Sequence, residues 1–258
     1  MLHTFWSVKG GSGTTVVAAA VAGAAARRTG AALLVDLCGD QPAAVGLPEP
    51  TGPGLRDWMA ATERRAEALD RLAVAVDERL RLVPRGAPGP WPAERAGELV
   101  DALVRTGRPV VVDAGVLDPA AGHGPVAAEL VDAGTSLLVL RPCYLALRRA
   151  VRATTRVDGV VLVLEPGRAL GRRDVEQVLD VEQHGLRPAF GQDADAGLVG
   201  GVAVAAEPLG EQLVGVGHRP QQGAVGVGGP VGLRGEDLSH LEAARGADDH
   251  PLATGVGP

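Results

Sequence analysis

Short apolar runs alternate with longer helical periodicities through the first two thirds of the chain. Leu2-Val8 is largely apolar and runs into glycines, as a buried strand does, and Thr14-Thr29 is a stretch of small residues closed by Gly30, which predicts a helix with a glycine cap. Ala31-Asp36 is a second continuous apolar run that ends in an acid, the pattern of a parallel strand covered on both faces. Gln41-Pro53 reads as a proline-punctuated loop, followed by helical patterns over Leu55-Ala61 and Glu63-Val74 and a strand at Leu80-Pro84. The alternation continues with helix Pro92-Arg105, strand Val110-Asp113, helix Pro125-Asp132, strand Ser136-Leu140, helix Tyr144-Arg156 and strand Val160-Leu164. This order predicts a doubly wound α/β fold around a mostly parallel sheet. Ligands of such sheets gather at the carboxyl ends of the strands, where Asp36 and Asp113 both project.

After about Val181 the texture changes. Residues 183-258 hold 17 of the 37 glycines, one aromatic, scattered prolines and no sustained helix or strand period. The chain therefore reads as a domain over residues 1-181 and an irregular, glycine-rich tail over 182-258, which is either a disordered extension or GC-rich DNA translated out of frame.

Composition adds three points. The core must be aliphatic, because the aromatics reduce to Phe5, Trp6, Trp58, Trp91, Tyr144 and Phe190, so small branched side chains have to meet at close range. A formal charge of -6 argues against a surface that is wholly a nucleic-acid footprint, although a local basic patch is compatible with it. Cys38 and Cys143 have neither metal-ligand spacing nor the density of a secreted disulfide framework; with no signal-peptide pattern and no apolar run of membrane-spanning length, the expectation is a cytoplasmic, soluble protein.

Among 25 basic residues a single lysine occurs, Lys9, and it lies in Lys9-Gly10-Gly11-Ser12-Gly13-Thr14-Thr15 between the first strand and the first helix. Backbone amides in a glycine turn that opens a helix point at an anion, and the helix dipole adds partial positive charge there. The general phosphate-loop pattern GxxxxGK[ST] fails at its lysine, since Thr14 stands in that place, and Lys9 supplies the ammonium from the other end of the loop.

This string resembles the deviant Walker A motif, KGGxGK[ST], of the ParA/MinD family. Leu34-Val35-Asp36-Leu37-Cys38-Gly39-Asp40 is similar to the segment after that family's second strand, and Val111-Val112-Asp113-Ala114-Gly115 to its Walker B strand. The resemblance covers roughly the first 180 residues. It implies that Lys9, Gly10, Gly11, Ser12, Gly13, Thr14 and Thr15 bind nucleotide, that Thr15 and Asp113 hold the metal, and that Lys9 and Asp36 are the catalytic residues. In that scheme Lys9 reaches phosphate across a nucleotide-sandwich homodimer and Asp36 lies near the attacking water. The implied cofactors are ATP and Mg2+. The implied role is a nucleotide-dependent positioning switch with DNA or a protein as cargo, acting in chromosome partition, septum placement or pilus localisation as in the CpaE/TadZ branch. Thr14 in place of the second lysine, and Cys38 where relatives often carry an acid, lead to an expectation of slow or absent hydrolysis. The alternatives are a degenerate pseudo-ATPase scaffold and a ligase or amidotransferase of the wider superfamily, for which no small-molecule pocket is marked.

Outside the motifs, Arg148, Arg149, Arg152 and Arg156 lie on one predicted helix, with 148/152 and 152/156 at i,i+4, a cluster that suits either a solvated face or DNA phosphates. His123, between Gly122 and Gly124, reads as a loop histidine. Cys38 reads as a small half-buried residue more than as a redox centre. No basic amphipathic C-terminal helix is visible, so a membrane anchor is not implied.

Overall fold

The computed structural model describes residues 1–62, 66–118, 122–164, 169–179 and 202–203. In chain order they form β1 (Leu2–Ser7), α1 (Thr14–Thr29), β2 (Ala32–Asp36), α2 (Gln41–Ala44), α3 (Leu55–Ala60), α4 (Ala66–Leu72), β3 (Val74–Ala75), β4 (Leu80–Val83), a short 3-10 turn (Ala93–Arg95), α5 (Ala96–Arg105), β5 (Val110–Val116), α6 (Gly124–Ala133), β6 (Thr135–Leu140), α7 (Tyr144–Ala150), β7 (Gly159–Val163), α8 (Arg172–Leu179) and β8 (Val202–Ala203). The strands lie in one sheet in the order β3-β4-β2-β5-β1-β6-β7-β8. All neighbours pair in parallel except the two-residue strands at the edges, β3 on β4 and β8 on β7. The α/β sheet is the one the sequence predicts. Its order reverses around β1, so the loop after β1 leaves the sheet at the switch point where ligands of open α/β sheets bind.

Strand periodicity divides the core into two layers. Val35, Leu33, Val110, Val112, Leu138 and Leu140 face one side, where α3 to α8 contribute Leu55, Trp58, Leu69, Leu99, Leu103, Leu130, Leu147 and Val175. Phe5, Leu34, Val111, Leu137 and Val139 face the other, where α1 presents Val17, Ala18, Val21, Ala22, Ala25 and Ala26. Among the described residues α1 is the principal helix on that second face. Its small side chains let its axis lie close to the sheet, which brings its amino end down onto the strand termini. It closes on Gly30, whose amide donates to Ala26 O at 3.0 Å. Interior polar groups are largely satisfied: Trp6 Nε1 donates to Ser136 Oγ at 2.8 Å, and Thr4 Oγ1 to Leu130 O at 3.1 Å.

Several boundaries differ from expectation. The predicted loop at Gln41-Pro53 begins with the short helix α2. The helix expected over Glu63-Val74 is α4 alone, and Val74 belongs to β3 (residues 63–65 lie outside the described set). β5 runs three residues past Asp113 through a register shift opposite Phe5 and Trp6. The helix expected to reach Arg156 stops at Ala150. Val151, Thr154 and Thr155 are poor helix formers, and the exposed Arg156 donates to Val131 O at 2.8 Å and to Gly134 O. Within the expected irregular tail, β8 adds two residues to the β7 edge; the boundary at 181 and the rest of 182-258 lie outside the described residues.

His3 on β1 is 7% exposed and its Nδ1 has no hydrogen-bond partner. Burial, and after it the N-terminal ammonium, lowers its pKa from 6.5 to about 4. The unfolded chain therefore takes up a proton that the fold refuses, and stability that is complete above pH 6.5 is lost as pH falls toward about 4. The loss amounts to about 3 kcal/mol at 1.36 kcal/mol per pKa unit. Urea unfolding at pH 7.5 and 4.5 is expected to show His3→Leu losing about 2 kcal/mol less stability than the wild type over that interval.

Candidate functional site

β1 delivers the chain to the middle of the sheet, and the glycine loop turns there. Gly11 and Gly13 have φ of 75° and 91°, left-handed conformations that side-chain-bearing residues rarely adopt. The first helical hydrogen bond of α1 runs from Val17 N to Gly13 O at 3.0 Å, so the preceding amides face out of the helix amino end. The loop is braced from within. Ser12 is 1% exposed and its hydroxyl donates to Lys9 O at 2.9 Å; the Ser7 hydroxyl donates to the same carbonyl at 3.1 Å and lies 3.2 Å from Gly115 O. Lys9 sits on the rim, its Nζ donating to Gly10 O at 2.7 Å. Thr14 is buried and uncharged.

Beneath the loop lie the two strand-end acids. Asp36 and Asp113 are register partners on β2 and β5, and both alternate onto the face covered by α1. Each is fully buried. Asp36 Oδ1 accepts from Cys38 N at 2.9 Å and Gly39 N at 2.7 Å, and its Oδ2 from Gln41 N at 3.2 Å. Asp113 Oδ1 accepts from Gly115 N at 3.0 Å and its Oδ2 from Gln41 Nε2 at 2.8 Å, while the nearby Thr15 side chain favours the ionised form of this carboxylate. Neither acid has an ion-pair partner among the described residues. Burial pushes Asp36 up to about 6, with the Gly39 amide opposing and the neighbouring Asp113 charge adding to the rise. Asp113 is raised for the same first reason, against its hydrogen bond to Gln41 and the nearby Thr15 side chain.

This donor set fits a small, hard divalent cation. Thr15 and the two carboxylates offer oxygen ligands, and no basic side chain among the described residues pairs with either acid. No group of three or more His, Cys, Asp or Glu among the described residues could hold a metal unaided. An ion here would therefore complete its shell with water and phosphate oxygens, as Mg2+ does at nucleotide sites.

Residues that the sequence left unassigned complete the surroundings. Gln41, read as the start of a loop, is wholly buried and joins Asp113 to Thr15 O, at 3.0 Å from the latter. Its only sequence signal is its place one turn beyond a strand-end acid. Arg85, after β4, donates to Cys38 O. Arg56 lies over the Trp91 ring at 5.3 Å, and Trp91 meets His123 edge-on with centroids 6.4 Å apart. The His123 Nε2 is 3.1 Å from Ala114 O, so this histidine braces the segment after Asp113 from the head of α6.

The predicted arginine cluster is not formed. Arg148 and Arg149 are on α7, and Arg149 Nη1 donates to Val8 O at 3.3 Å, which ties this helix to the base of the glycine loop. Arg152 lies beyond the helix end, and Arg156 pairs with Asp158 at 3.1 Å. The i,i+4 spacing held in sequence but the helix that would align it ends first.

Cys38 packs against Gly115, whose φ of 59° and lack of a side chain make room for the sulfur; a Cβ there would land on Sγ. Burial, then the charges of Asp113, Asp36 and Asp40, pushes the Cys38 thiol up to about 12, so it is a packing group and not a redox centre. Iodoacetamide at pH 8, followed by peptide mass spectrometry, is expected to label Cys38 at least about tenfold more slowly in the native protein than in guanidinium-unfolded chain. Comparable rates would contradict this environment.

No family model matches the chain, and no curated protein sequence does. Among solved structures the fold is similar to a ParA family ATPase from Chlorobium tepidum TLS, at 21% identity and a TM-score of 0.56, over 69% of this chain and 80% of that one. The MinD cell division protein of Aquifex aeolicus gives 20% identity and a TM-score of 0.56 over 69% and 78% of the two chains. The septum site-determining protein MinD of Pyrococcus horikoshii OT3, complexed with Mg-ADP, gives 19% and 0.51 over 69% and 77%. Among the described residues no helix is long and apolar enough to cross a membrane. Sheet order, glycine loop and strand-end acids together give this chain the ParA/MinD-like P-loop ATPase fold.

Proposed function

We propose that this chain is a nucleotide-binding positioning protein of the ParA/MinD kind, which binds ATP with Mg2+ and hydrolyses it slowly or not at all. One observation carries the reading: a glycine loop opens α1 directly above two buried carboxylates that pair with no basic side chain among the described residues. In this reading the amides of Gly10 to Gly13 and of Thr14 wrap the phosphates, and Lys9 releases the Gly10 carbonyl to place its compact charge on them. Thr15 and Asp113 hold the ion, and Asp36 orients the water that attacks. Mg2+, when bound, neutralises phosphate oxygens and the carboxylate pair. The Pyrococcus horikoshii neighbour, solved with Mg-ADP, supports the choice of ligand.

Switching would follow from the monomer and a nucleotide-bridged homodimer having different affinities for DNA or for a protein cargo. A MinC:MinD complex of Aquifex aeolicus, whose fold is similar at 18% identity and a TM-score of 0.56, supports a protein partner. Thr14 favours a second reading, a degenerate pseudo-ATPase that serves as a scaffold. Its hydroxyl offers no charge where phosphate would lie, and position 38 carries an un-ionised thiol.

Calorimetry on the full chain tests both. Loss of one charge-assisted contact is worth about 1.5–3 kcal/mol, so Lys9→Ala is expected to weaken Mg-ATP binding by about 10- to 100-fold. Thr14→Lys is expected to strengthen binding by a similar factor and to bring measurable turnover. Mg-ATP affinity indifferent to Lys9→Ala would sink the first reading. Absence of wild-type binding that Thr14→Lys creates would establish the second.

A further inference from the structure

Gln41 opens α2 immediately after Asp40, and Pro42 follows it at the start of that helix. Its backbone amide donates to Asp36 and its side-chain Nε2 to Asp113 and to Thr15 O, so one residue touches both carboxylates and the first turn of α1. Both neighbours of Nε2 are acceptors only. Turning the carboxamide over would set its oxygen against a carboxylate and a carbonyl, so the chemistry fixes which atom is which. Oε1 is thereby held on the same carbon as Nε2, beside the carboxylates, fully buried and without a hydrogen-bond partner.

An orphaned interior acceptor beside an uncompensated pair of acids calls for a group that brings both positive charge and hydrogen-bond donors. A hydrated divalent cation is such a group: its charge meets the carboxylates and its waters donate. An anion would be repelled. His3 Nδ1, another described buried side-chain atom without a hydrogen-bond partner, lies between strands with Val111 and Thr135 as register partners and no acid at those positions, so it lacks this context.

We propose that Gln41 is a member of the cation site: Oε1 accepts a hydrogen bond from the water shell of a divalent ion, while Nε2 keeps Asp113 turned toward that ion. The proposal rests on the reading above in one respect, that a divalent cation occupies the carboxylate pair. It adds a neutral oxygen contact that the motifs do not contain, and it makes Gln41 a positioning residue for Asp113.

The test uses Mn2+ as the probe on the full chain, followed by electron paramagnetic resonance and by the Mn2+-dependent rise in Tm. Gln41→Leu, which removes both polar atoms, is expected to weaken Mn2+ binding by about tenfold or more. Gln41→Glu places oxygen at both amide positions; it is expected to lower Tm without metal, because it faces Asp113, and to gain more Tm from Mn2+ than the wild type gains. A purely structural role would lower Tm in both variants by the same amount with and without metal. Unchanged Mn2+ affinity in Gln41→Leu overturns the proposal, and so does a Gln41→Glu variant with no extra gain. If Gln41→Leu fails to fold, Gln41→Glu decides. ADP binding by the wild type in EDTA separates the two levels: ADP bound there with no Mn2+ bound in any condition sinks the role of Gln41 and leaves nucleotide binding standing, whereas loss of both removes both.

Discussion

Two carboxylates on neighbouring strands, Asp36 and Asp113, are buried side by side under the amino end of α1, and the surrounding structure is arranged around that charge. Ionised acids leave water only at large free-energy expense unless hydrogen bonds or counter-charges replace their hydration. Here the replacement comes from neutral donors: backbone amides of Cys38, Gly39, Gln41 and Gly115, and the Gln41 carboxamide. The amino end of α1 adds a partial positive charge on the same face. These terms fall short of full compensation, which is why both acids sit above the ordinary carboxylate range. A cation would complete the balance.

The asymmetry of the sheet serves the same end. Among the described residues six helices crowd one face, while α1, built almost entirely of alanine and valine on its buried side, is the chief cover of the other. Larger side chains would lift the helix and carry its amides away from the acids. The bulge in β5 has a comparable effect: by shifting register opposite Phe5 and Trp6 it brings Gly115 beneath Cys38 and points its amide at Asp113. The loops beyond the strands are then locked by Arg85 on the Cys38 carbonyl and by the stack of Arg56, Trp91 and His123 against the Ala114 carbonyl.

Charge distribution distinguishes this loop from the general phosphate-binding pattern. The single lysine approaches from the strand side and rests on the rim with its Nζ on the Gly10 carbonyl, while the helix side is closed by the buried, neutral Thr14. A rim ammonium and fixed amides can grip an anion. They give less of the rigid charge placement that stabilises a transition state.

The amino-acid sequence alone was sufficient for whatever depends on near neighbours: the alternation of strands and helices, the glycine turn before a helix, and the two acids that terminate apolar runs. These signals are local, because backbone freedom at glycine and the two-residue period of a strand act within a few positions. Only the tertiary structure decided that Asp36 and Asp113 are register partners, that Gln41 spans 72 positions to reach Asp113, and that α7 gives up its last turns so that Arg156 can serve the Val131 carbonyl. Each of those outcomes rests on hydrogen bonds between residues far apart in the chain, and a partner that arrives through folding leaves no mark on the residues next door.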